Sequence, residues 1–192
     1  MKLPPTSSQT VGPFFHLGVS FLTREHLEAR GIGGELVTIR GKVLDGDGQP
    51  LPDALLEIWQ ADASGEYAAN HSGGDSSPRF RGFGRAETDQ DGAFCFTTVK
   101  PGPVPYLDGS MQAPHIVVTV FSRGLLKPLW TRVYFPNESG NAADPILKLV
   151  PPERRATLIA RRSGESAENA RENILEWNVV MQGDGETVFF DY

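Results

Sequence analysis

The chain has one cysteine, Cys95, among its 192 residues, so no internal disulfide can brace it. Within AFCFTTV that thiol reads as a small buried hydrophobe. Basic residues are not in excess: 18 Lys and Arg stand against 24 Asp and Glu, a net charge of −6. They are also scattered, so the electrostatic footprint of a nucleic-acid binder is missing. Long apolar runs are missing too. The β-rich run 116–121 is far too short to span a bilayer, and the start, MKLPPTSSQT, has a lysine with no apolar stretch behind it. A cytoplasmic protein with no nucleic-acid and no membrane partner is expected.

Familiar catalytic spacings are also absent. The four histidines, His16, His26, His71 and His115, form no H-x-H, H-x3-H or HExxH pair, and there is no G-x-S-x-G elbow or phosphate-binding loop. GFGRAE at 82–87 is too short for a dinucleotide fingerprint. Local metal, hydrolase and nucleotide motifs therefore give no lead.

What is present is turn chemistry. Fifteen prolines and 21 glycines cut the chain into short segments whose apolar residues alternate with period two. In ELVTIRGKVL, Val37, Ile39, Gly41 and Val43 share one face while Thr38, Arg40 and Lys42 share the other, and DGDG ends the run. Similar strands are expected at 54–60, 93–99, 115–122, 131–135, 174–182 and 186–190. Helical pieces are expected at 23–30 and in ERRATLIARR. This pattern predicts an all-β sandwich of about eight strands with one or two short helices. The organisation expected is an arm and connecting segment, 1–34, followed by one domain, 35–192. Polar, glycine-rich or charged loops are expected at 68–84 and 161–173.

Four stretches could carry chemistry, each with a plain structural alternative. LEIWQADASGEY delivers Tyr67 from a turn after a strand carrying Trp59 and Gln60, or is simply a core tryptophan and a surface tyrosine. TVKPGPVP is a proline-stiffened exit from a strand or only a rigid loop. FSRGLL puts Arg123 at a strand end, where an arginine is ordinarily solvated but its fork also suits a carboxylate. SQTVGPFFH is an extended arm that either frays or lies across another chain. His115, opening a β-branched run, reads either as a hydrogen-bonded structural residue or as a ligand. Composition does not choose among these.

Taken in order, SSQTVGPFFHLG, LEIWQADASGEY, GFGRAETDQDGAFCFTTVKPGPVP, QAPHIVVTVFSRG, TRVYF, TLIARR and GETVFFDY resemble the intradiol ring-cleavage dioxygenases over nearly the whole chain. The resemblance implies a transthyretin-like β-sandwich. It also implies an oxidative activity in which Fe(III) binds a catechol and O2 is inserted between the two hydroxylated carbons. Iron-bearing members hold the metal with two tyrosines and two histidines, a donor set that suits hard ferric iron. Carried over by position, the first tyrosine is Tyr67 and the first histidine is His115. The second tyrosine falls on Val104 and the second histidine on Val117. Gln112 stands where iron-bearing chains place an arginine.

Two of four ligands are thus missing, and the positions Tyr67, Val104, His115 and Val117 are read as vestigial, with no metal and no catalytic residue assigned to this chain alone. The resemblance is nearest to family members that lack the same ligands and work beside a homologous iron-bearing beta subunit. It implies that Thr10, Gly12, Pro13 and Arg123 line the substrate side of a cavity at that interface, holding protocatechuate or a similar catechol acid. The alternatives are a self-sufficient enzyme with a rearranged iron site of Tyr67, Tyr106 and His115, or a noncatalytic transthyretin-like binding module.

Overall fold

The computed structural model describes residues 7, 9–12, 18–27, 33–68, 80–164 and 173–191. Pro13, most of the loop 68–84 and part of 161–173 lie outside them. Two sheets face each other across the main core. In the first, β1 (Leu36–Leu44) pairs antiparallel with β4 (Ala93–Val99) on one edge. On its other edge it pairs in parallel with β10 (Ile174–Glu176) and then β11 (Val179–Val180), while β9 (Arg161–Arg162) flanks β10. The second sheet runs β3 (Phe83–Glu87), β2 (Leu55–Trp59), β7 (His115–Phe121), β8 (Leu129–Tyr134), all antiparallel. A small ribbon joins β5 (Val104–Pro105) to β6 (Met111–Gln112).

Alternation decides which residues meet between the sheets. Val37, Ile39, Phe94 and Phe96 from one sheet pack with Leu56, Ile58, Ile116 and Val118 from the other. Because Phe94 and Phe96 point inward, Cys95 between them points out and is exposed, which corrects its reading as a buried residue.

A second, smaller cluster lies on the outer face of the second sheet, where Tyr134 packs with Ala113, Leu147, Val150 and Leu158. A short α-helix, α1 (Pro145–Leu149), belongs to this cover. Its N-cap is Asp144, whose Oδ1 accepts from the backbone N–H of Ile146 and Leu147 at 2.8 Å, and Pro145 fills the first turn, where a missing N–H costs nothing. The cluster roofs the outer face at its Tyr134 end, while Trp59 and Trp130 on the same sheet stay exposed.

Several local readings are corrected. Within 23–30, residues 28–30 lie outside the described set, and 24–27 pair with strand edges instead of forming a helix. The backbones of Arg24 and Arg85 exchange hydrogen bonds at 2.7 and 3.0 Å, and Leu27 N–H reaches Thr97 O at 2.8 Å. In ERRATLIARR the helical expectation holds, as a 3-10 helix, Pro152–Leu158, with Pro152 in its first turn; only its end differs, where Ile159 bridges to Tyr134 and the chain enters β9. The 186–190 segment makes only an isolated bridge, Phe190 to Trp130, since the hydroxyl of Thr187 takes the place of a ladder carbonyl toward Val180 N–H at 2.9 Å. Among the described residues no helix is long and apolar enough to cross a membrane.

Candidate functional site

Tyr67 is delivered by the turn in ADASGEY. Asp62 Oδ1 accepts from Ser64 N–H at 2.8 Å and Glu66 N–H at 3.0 Å, an Asx arrangement that closes the loop locally. The turn is pressed against the KPGP loop: Gly102 N–H donates to Asp62 O at 2.8 Å, and Gly65, at φ 86°, lies so near Pro103 that a Cβ would come within 2.2 Å of its carbonyl oxygen. Only glycine fits that approach. Tyr67 then stacks on Trp59, ring centroids 6.1 Å apart and 7° from parallel. Gln60 anchors the preceding strand end, donating to Val99 O at 2.8 Å and accepting from Thr98 Oγ1 at 2.9 Å.

The register of the second sheet assembles the rest. Trp59 lies opposite Val117, Val117 opposite Arg132, and His115 opposite Tyr134. Opposed residues of antiparallel strands share a face. These five side chains therefore occupy the outer face, back to back with Ile116, Val118 and Val133 in the main core. Val104 is buried and pairs with Gln112 across the small ribbon.

His115 is 5% exposed. Its Nδ1 lies 2.8 Å from Ala113 O, and a carbonyl only accepts, so Nδ1 carries the proton. The Nε2 lone pair is left facing Arg132 Nη1 at 3.3 Å. Arg132 is 8% exposed, donates to Gln112 Oε1 at 2.8 Å, and lies over the Phe190 ring at 5.9 Å. Burial, then the neighbouring Arg132 charge, push the His115 pKa down to about 4, so the ring is neutral at pH 7. Burial raises the Tyr67 and Tyr134 phenols, with Arg132 pulling the other way on both.

This linkage predicts acid sensitivity. An unfolded histidine titrates near pH 6.5, above the native value, so the unfolded chain binds the proton first. The stabilisation from the neutral ring is complete above about pH 6.5 and is lost as pH falls toward 4, at most about 3 kcal/mol from this group. Urea titrations from pH 7 to 4 should show that slope in the parent and a shallower one in His115→Gln; equal slopes would refute the assignment.

These positions do not fit a ferric ion. Val104 and Val117 offer no donor atom, and the one available imidazole lone pair faces a guanidinium. Among the described residues no cluster of three or more His, Cys, Asp or Glu side chains could hold a metal. Tyr106 lies in the turn of the ribbon, its N–H bonded to Ser110 O at 2.8 Å. A groove of about 590 Å³, lined in part by Arg40, Phe94 and Trp177, belongs to the first sheet and contains none of these residues.

The arm and Arg123 form a separate pair. Thr10 Oγ1 accepts from Gly124 N–H at 2.9 Å, which ties the arm to the loop carrying Arg123. Arg123 is 65% exposed, with its Nε 3.7 Å from Asp53 Oδ1. Gly12 is exposed, and nothing lies within 4 Å of where its Cβ would stand. His115 opens β7, and Arg123 follows its far end, about 25 Å away at strand rise.

The family model described as Dioxygenase matches residues 13–183. The chain belongs to the intradiol dioxygenases. It is 43% identical to the protocatechuate 3,4-dioxygenase alpha chain of Burkholderia cepacia, over 98% of both chains. It is 32% identical to the beta chain from the same organism, over 96% of this chain and 78% of that one. Among solved structures, the dioxygenase domain of a carbohydrate-binding fusion protein from Streptomyces sp. SirexAA-E superposes with a TM-score of 0.64 at 25% identity, covering 84% of this chain and 88% of that one.

Reading the residues in order misses Arg132 and Asp144, which the structure places against His115, Gln112, Ala113 and Tyr134. A signal existed for the first. In TRVYF, Arg132 and Tyr134 share a strand face that Val133 does not, and a charge inside so apolar a strand asks for a partner. Asp144-Pro145 is a helix-start signature, overlooked because the helix it starts is five residues long.

Proposed function

We propose that this chain is the alpha subunit of a protocatechuate 3,4-dioxygenase, completing an active site whose ferric ion is held by a homologous beta subunit. The reaction is protocatechuate plus O2 to 3-carboxy-cis,cis-muconate, in the cytoplasm. On this reading 35–192 is a transthyretin-like sandwich and 1–34 is the arm that reaches the interface. One observation carries the reading: Thr10 and the Arg123 loop are joined and face outward, at the opposite end of β7 from His115. Groups so placed serve a site completed by another chain. There the Arg123 fork complements the ring carboxylate of the substrate, and in the arm that carries Thr10, Gly12 and Pro13 the glycine and proline offer close backbone approach without bulk.

Expressed alone, the chain should contain no stoichiometric iron and cleave no protocatechuate, while co-assembly with a beta chain should produce oxygen uptake on protocatechuate. Ring cleavage by the isolated chain would overturn the proposal, as would a beta partner whose activity is the same with and without it. In the assembled enzyme, Arg123→Ala should raise KM for protocatechuate about tenfold or more while leaving that for catechol nearly unchanged. Equal effects on both substrates would make the arginine structural.

A further inference from the structure

We propose that Arg132 is the resident cation of the vestigial site, and that its guanidinium, not only the loss of ligands, bars a metal ion from this chain. The inference goes beyond the subunit assignment, since it concerns this chain's own residues whichever partner it meets.

The imidazole of His115 has one nitrogen committed to Ala113 O, so a metal could be received only at Nε2. That lone pair faces Arg132 Nη1. The same nitrogen donates to Gln112, and the guanidinium lies over Phe190, so the cation is held from several sides. The two valines belong to this arrangement. Val117 is directly opposite Arg132 across β7 and β8, and Val104 is directly opposite Gln112 across β5 and β6. Directly opposed Cβ atoms lie about 5 Å apart, so a histidine at 117 would share its space with the guanidinium. Val104, Gln112, Val117 and Arg132 thus form one set, in which a buried positive side chain stands where a positive ion would have to enter. A second cation placed against it in a water-poor site is strongly repelled.

The test restores the ligands with and without the arginine, supplying ferric citrate to the full chain. With Arg132 retained, Val104→Tyr/Val117→His should bind no stoichiometric iron and show no visible phenolate-to-iron band. Adding Arg132→Gln, which keeps an amide donor for its neighbours but no charge, should give one ferric ion per chain and the band. Adding Arg132→Lys instead should keep iron out. Stoichiometric iron in the double variant would overturn the proposal, and so would a Gln triple variant with native circular dichroism that stays iron-free. A measurement on the unaltered chain needs no variant to fold: 15N NMR of His115 should show the Nδ1–H tautomer, and a proton on Nε2 would overturn the proposed contact.

Discussion

Replacing Asp144 with alanine is expected to destabilise the chain by about 4 kcal/mol, more than any surface change could. The side chain is fully buried, and its oxygens accept from four donors: Ala113 N–H, Ile146 N–H and Leu147 N–H at 2.8 Å, and Tyr134 Oη–H at 3.2 Å. Two of those bonds cap α1, one holds the turn into β7, and one holds Tyr134 on β8. Alanine leaves all four donors without that acceptor in a place water does not reach. Asp144→Asn keeps the oxygen that caps the helix but turns an amide N–H toward Ala113 N–H, so about half the loss is expected. Equilibrium urea unfolding measures both, with a fall in Tm of roughly 10 °C for the alanine variant. A loss below about 1 kcal/mol would show that the roof relaxes without this residue. The consequence reaches the site, because Ala113 also accepts from His115.

The second large effect is expected at Gly41. It lies within β1 without a positive φ, so the demand is steric. A Cβ there would lie 1.7 Å from the carbonyl oxygen of Trp177 and 3.1 Å from the Phe94 ring. The Trp177 oxygen is backbone and cannot rotate away. Trp177 is itself fixed, donating from its backbone N–H to Arg40 O at 3.0 Å and from Nε1 to Thr157 O at 2.9 Å. Gly41→Ala should therefore push β1 from the 174–180 segment and cost about 3 kcal/mol by urea unfolding. Gly164, with nothing within 4 Å of its Cβ position, is the control, and its alanine variant should stay within about 0.5 kcal/mol of the parent. If the two variants match, the close approach at Gly41 is not a constraint on stability.

Gly41 also shows where period-two reading succeeds and where it stops. Alternation correctly put Val37, Ile39 and Val43 on the buried face of β1. It could not say why a glycine interrupts them, because the cause is a carbonyl 136 residues further on. The same limit explains the segment 174–182. Its apolar residues read as one strand, yet the ladder breaks after Trp177 N–H, and the Asn178 side chain takes over as acceptor for Lys42 N–H at 2.9 Å. β3 was hidden for a different reason. Its inward residues are Gly84 and Ala86, too small to make an apolar pattern visible, so 83–84 read as the end of the loop 68–84 and 85–87 as no element at all.

The site divides along similar lines. That Val104 and Val117 cannot donate to a metal is a property of their side chains, legible without any fold once the resemblance places them. That His115 holds its proton on Nδ1 depends on a carbonyl two residues away, and that Nε2 meets a cation depends on the register of β8. The hydrogen bond from Gly124 to Thr10 joins residues 114 positions apart, and no periodicity could announce it.

The sequence by itself determined the β class, the buried faces of the long strands, membership in the dioxygenase family and the absence of a donor atom on the side chains at 104 and 117. Each of these follows from residue type at local or aligned spacing. Tertiary structure decided that Arg132 lies beside His115, Gln112 and Val117, that Asp144 ties helix, turn and strand together, and that Arg123 stands at the far end of β7 beside the arm. The physical reason is that alternation assigns a side chain to a face, while only pairing and register decide which other side chains it meets there.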